Sequence, residues 1–71
     1  MSVVVNTKRL RLELVHRGWT AAALAHEAQL SPATISAALG GRPITVTSVR
    51  LIAQALARAP AVDGIELLLG E

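Results

Sequence analysis

Three observations predict an all-α fold, a compact bundle of five short helices, for this 71-residue chain. Hydrophobic residues make up 52% of it with a single aromatic, Trp19, so the core must be aliphatic. Its alanine-rich, β-branched-poor stretches favour helix. Turn signals cut it into short pieces, and most pieces open on a residue suited to capping a helix. A chain of this length makes one domain, 1–71, that buries only about 60% of its unfolded surface, so nearly every large aliphatic side chain is needed inside.

The elements follow in order, with helices at about 7–17, 21–28, 32–39, 46–58 and 64–69. Asn6 caps the first helix and Gly18 closes it, with Leu10, Leu14 and Val15 on one broad face and Leu12 off that face. Thr20 caps the second, whose main core residue is Leu24. Gln29 and Leu30 form a short connection without glycine. Ser31 followed by Pro32 is a strong start for the third, which ends at Gly40-Gly41. Pro43 disfavours helix at Arg42, so 42–44 is a loop. Thr45 caps the fourth, where Val49, Ile52, Ala53 and Leu56 recur at helical core spacing, and Pro60 stops it. Asp63 with Glu66 resembles a capping box opening the fifth, ended by Gly70. No strand is expected.

Composition narrows the function classes. Absence of cysteine fits a reducing cytoplasm. No apolar run reaches transmembrane length, and no signal-peptide core is expected, since residues 1–5 are too short for one and basic residues follow rather than precede them. Catalysis finds no foothold: there is no nucleophile–base pair, no clustered carboxylate and no phosphate-cradling glycine loop, so an enzyme is not expected. His16 and His26 have no ligand partner at metal-binding spacing, and neither metal nor cofactor is expected. Residues 1–58 carry a net charge of +5 and residues 59–71 carry −3. A basic body with a small acidic end suits a polyanionic partner.

Helices two and three, joined by about three residues, have the layout of a helix-turn-helix. On a helical wheel Ile35, Ala38 and Leu39 cluster toward the core. Ala33, Ser36, Ala37 and Gly40 point away, with Thr34 beside them. In such a motif the outward stripe is offered to the major groove.

The chain here resembles the Cro/CI-type (XRE-like, lambda-repressor-like) helix-turn-helix repressors of bacteria and their phages. The matching stretches are Arg17-Gly18-Trp19-Thr20, Leu24-Ala25, Leu30-Ser31-Pro32-Ala33-Thr34-Ile35-Ser36, Gly41, and Ile52-Ala53-Gln54-Ala55-Leu56. They cover roughly residues 7 to 69 in order. The resemblance implies a double-stranded DNA operator as partner, repression of transcription, and a place in the bacterial cytoplasm. It puts base reading on Pro32, Ala33, Thr34, Ser36 and Ala37. These can offer thymine-methyl contacts and hydroxyl hydrogen bonds but no bidentate amide or guanidinium, so specificity would rest on close fit, water bridges and DNA shape. Many family members carry a buried Arg–Glu pair at positions matching Leu14 and Leu39. Leucine at both is a coordinated change that suits the same fold.

Phosphate contacts are assigned to helix N-termini and nearby cations: Thr20, Ser31, Arg42, Thr45, Thr47 and Ser48, with Lys8, Arg9 and Arg11 embracing the flanking backbone. Arg50 and Arg58 are expected to be solvated, and Trp19 to plug the core. Ile65, Leu68 and Leu69 are candidates for a two-fold homodimer contact through the last helix. The alternative function is a helix-turn-helix protein-interaction module, an antitoxin or phage regulatory factor, acting mainly through that helix. The stretch SPATISAALGGRP also resembles the headpiece of LacI-type repressors, but those begin directly with the motif's first helix.

Overall fold

A computed structural model describes residues 1–59. Its element order is β1 (Ser2–Val3), α1 (Thr7–Arg17), α2 (Ala21–Ala28), α3 (Pro32–Leu39), β2 (Ile44–Thr45) and α4 (Val46–Arg58). The protein is mostly helical, with four helices among the described residues. The expected fifth helix at 64–69, and with it Ile65, Leu68 and Leu69, lies outside them.

Each helix starts where a side-chain oxygen accepts an amide of the first turn. Asn6 accepts from Arg9 at 2.9 Å, Thr20 from Ala23 at 3.1 Å, Ser31 from Thr34 at 3.2 Å and Thr45 from Ser48 at 3.1 Å. Each such cap is worth about 1 kcal/mol.

The first three helices end in one and the same way. The amides of Trp19, Leu30 and Arg42 reach back five residues to the carbonyls of Leu14, Ala25 and Ala37. The residues just before them, Gly18, Gln29 and Gly41, are left-handed at φ 66°, 56° and 76°. This is the Schellman arrangement, which satisfies carbonyls that the helix leaves without partners. At the first two ends the residue after the left-handed one is apolar, and Trp19 and Leu30 both pack against the core.

Carbonyls in the last turns of α2, α3 and α4 are also met by arginines from distant helices. Arg11 Nη2 donates to Leu39 at 2.8 Å, Arg58 Nη2 to Glu27 at 3.0 Å, and Arg17 to Leu56 through Nη2 at 3.0 Å. Arg58, expected to be solvated, is therefore tied to the end of α2.

The core gathers Leu10 and Leu14 of α1, Leu24, Ala25 and Ala28 of α2, Ile35 and Ala38 of α3, and Ile52 and Ala55 of α4 with Ile44. Leu24 and Ile35 are its largest fully enclosed side chains. Trp19 is half-buried against this cluster. Leu14 and Leu39 line one shallow apolar groove together with Trp19 and Ala21.

Ala53, expected at core spacing on α4, is exposed, and Ala55 is buried instead. Two other expectations need correction. Val15 does not join the core face of α1 but is 63% exposed. It lies about 100° further round the helix than Leu14, on the wall of that groove. Second, the chain is not strand-free: Ser2 pairs with Thr45 and Val3 with Ile44 in a two-stranded antiparallel ribbon. Its alternation buries Ile44 and half-buries Val3 and Val5, while Ser2, Val4 and Thr45 face out.

Candidate nucleic-acid interface

Two eight-residue helices, α2 and α3, pack against each other across the three-residue connection Gln29–Leu30–Ser31. Leu30 turns into the core and Ser31 caps the next helix, which fixes where α3 begins. Ile35 and Ala38, at 1% and 0% exposure, then pin α3 by a single stripe. The opposite stripe is left to solvent: Pro32, Ala33, Ser36 and Gly40 are exposed.

The remaining two base-reading candidates sit differently. Ala37 is half-buried and packs partly against the core. Thr34 is half-buried too, and its hydroxyl lies 3.0 Å from that of Ser31, so the two hydroxyls engage each other. The forward face of α3 therefore narrows to Pro32, Ala33 and Ser36. Beside it runs an open groove of about 400 Å³ between α1, the start of α2 and α3, with Ala21, Ala22 and Ser36 on its walls and Arg11 at one side.

The helix N-termini behave as capped ends. Thr20 and Ser31 each take up one first-turn amide; at α2 Ala21 and Ala22 keep no partner within the helix, and at α3 only Ala33 does, because Pro32 has no N–H. At α4, Thr45 Oγ1 accepts from the Ser48 amide and donates to Ser48 Oγ at 2.9 Å, while Thr47 is exposed.

The cations divide into two groups. Arg9 Nε is 2.8 Å from Glu13 Oε2, and Arg17 Nη1 is 2.6 Å from Glu13 Oε1. The hydrogen bond from Arg17 holds the Glu13 carboxyl below its ordinary range, with the charge of Arg9 adding to it. With Arg11 and Arg58 bound to helix ends, Lys8, Arg42 and Arg50 are exposed and make no side-chain hydrogen bond among the described residues. Arg42 stands directly beyond the C-terminus of α3, its Nε close to Gly40.

Family models, curated proteins and solved structures return no match to this chain. Among the described residues, no three His, Cys, Asp or Glu side chains converge as a metal cluster, and no helix is long and apolar enough to cross a membrane.

Sequence reasoning did not anticipate the arginine–carbonyl ties. Their partners are 28, 31 and 39 residues apart, so no local spacing signals them.

Proposed function

We propose that the protein is a sequence-specific double-stranded DNA-binding transcriptional regulator of the phage or prophage repressor kind, with α2 and α3 as its helix-turn-helix. The observation that carries this reading is the two-sided character of α3. Ile35 and Ala38 hold one stripe in the core, while Pro32, Ala33 and Ser36 leave the other flat and exposed. A helix so presented has the width of a major groove, and small side chains let its axis approach the bases closely. Ala33 offers a methyl contact to thymine and Ser36 a hydroxyl to either kind of base. The lack of any fork-shaped donor puts more of the discrimination on water bridges and DNA shape. Free first-turn amides of α2, α3 and α4 face phosphates, with Arg42 and Lys8 as the cations within the same footprint.

Selection from a pool of random duplexes tests the reading. Enrichment of a defined sequence is expected, with binding that weakens steeply as salt rises. Ala33→Glu places a carboxylate on the exposed stripe without entering the core, so it should weaken binding of the selected duplex by at least about 100-fold at an unchanged melting temperature. Ala37 is unsuitable for that purpose, because a charge there also disturbs packing. No enrichment, or an Ala33→Glu variant that binds normally, rejects the proposal.

A further inference from the structure

The outer edge of β1 in the β1–β2 ribbon is open, and its hydrogen-bond register can be read. The Val46 amide donates to the Met1 carbonyl at 3.2 Å, and Val3 stands opposite Ile44. In an antiparallel pair, residues whose backbone groups face the partner strand alternate with residues whose groups face away. Met1 and Val3 therefore spend their backbone groups on β2, and Ser2 and Val4 turn theirs to the open side.

We propose that this edge is a homodimer interface, in which β1 of one copy pairs antiparallel with β1 of a second about a two-fold axis through Val3. Ser2 of each copy then exchanges its N–H and C=O with Val4 of the other, giving the strand order β2–β1–β1–β2. The pairing is self-complementary, as a two-fold interface must be.

Two further observations favour a second copy as the occupant. Of the five large hydrophobic residues exposed among the described ones, Met1, Val4 and Val46 lie on or at the end of this ribbon. An exposed apolar strand edge is a template for pairing, and the usual safeguards of a charged residue or proline are missing from β1. Charge points the same way. Residues 1–58 carry +5, so two copies repel across most of their surfaces. Residues 1–7 and 43–49 contain no charged side chain, so side-chain charge does not oppose contact between two copies at the ribbon. An interface this small, below about 1,200 Å², forms a weak and concentration-dependent dimer.

The test is sedimentation equilibrium of the full chain without DNA, from low micromolar to near-millimolar concentration, paired with amide chemical shifts across the same range. A monomer–dimer equilibrium is expected, with the largest concentration-dependent shifts at Ser2 and Val4. Val4→Pro removes an outward N–H and no ribbon hydrogen bond, and should leave a monomer with an unchanged circular dichroism spectrum. Val4→Lys keeps the backbone donor but charges the edge and should weaken dimerisation at least tenfold, which keeps the idea testable if the proline variant misfolds. A chain that stays monomeric throughout overturns the proposal. So does a dimer that survives both Val4 variants, or one lost instead in Ile65→Asp/Leu68→Asp. Because no DNA is present, failure here leaves the DNA-binding reading to its own experiment.

Discussion

Arg17 of α1 grips the end of α4: its Nη2 and Nε lie 3.0 and 3.3 Å from the carbonyl oxygen of Leu56. Its Nη1 at the same time reaches the backbone and carboxylate of Glu13 one turn back. With its side chain only 9% exposed, this guanidinium joins two helices that are 39 residues apart in sequence. Arg17→Ala should lower stability by about 2–3 kcal/mol, since hydrogen bonds made by a charged donor contribute roughly 1.5–3 kcal/mol. In a domain of this size the melting temperature should fall by roughly 10–20 °C. Arg17→Lys should recover little of it, because a single ammonium cannot reproduce the fork.

Glu13 makes the same junction sensitive to acid. Its carboxyl is held below the ordinary value of 4.5, first by the Arg17 hydrogen bond. A depressed carboxylate contributes stability that is fully present above the unfolded value and is lost as pH falls through the folded one. Thermal melts should therefore decline with acidification below about pH 4.5. Glu13→Gln should melt lower at neutral pH, with a flatter decline on that limb. A variant whose acid limb matches the parent's would show that the carboxylate is not the titrating group.

Gln29 is the one described non-glycine residue in the left-handed region. Such a conformation disfavours a Cβ by about 1–2 kcal/mol, partly offset by glycine's freedom in the unfolded chain. Gln29→Gly should thus raise stability by about 0.5–1 kcal/mol, measured by urea denaturation with an unchanged slope. Gly18→Ala, at φ 66°, should lower it by about 1 kcal/mol, although nothing crowds the added methyl.

Arg42→Ala should leave the fold and melting temperature as they are. On the proposed function, it should reduce the slope of log affinity against log salt for duplex DNA by about 1. Arg50→Ala, on the exposed side of α4, supplies the comparison, with a smaller change in slope expected. Equal slopes for Arg42→Ala and the parent would remove Arg42 from the interface.

The helices were legible because each boundary is written in a local residue. Asn6, Thr20, Ser31 and Thr45 occupy the caps expected of them, and the four helices begin and end where the spacing puts them. The ribbon was not legible, since Val3 meets Ile44 across some forty residues and neither strand is long enough to show an alternation. Val15 misled because apolar spacing marks a broad face without saying how far round the helix neighbouring elements extend. At the candidate interface, small outward residues on α3 were readable from the wheel. The partial burial of Ala37 and the Ser31–Thr34 hydroxyl contact depend on how α3 is seated, which spacing does not report.

The three Schellman ends carry a last consequence. Two of them fold an apolar residue, Trp19 or Leu30, back over the helix they finish; the third has Arg42 in the equivalent place. The backbone geometry that elsewhere acts as a latch for the core here serves as a mount for a cation, holding its Cα at a set distance from the exposed stripe of α3. Replacing Arg42 by leucine would restore the pattern of the other two ends and trade a positioned charge for a better-sealed helix. A chain selected for stability alone would be expected to make that exchange, and its presence or absence in homologues is a gauge of what the position is kept for.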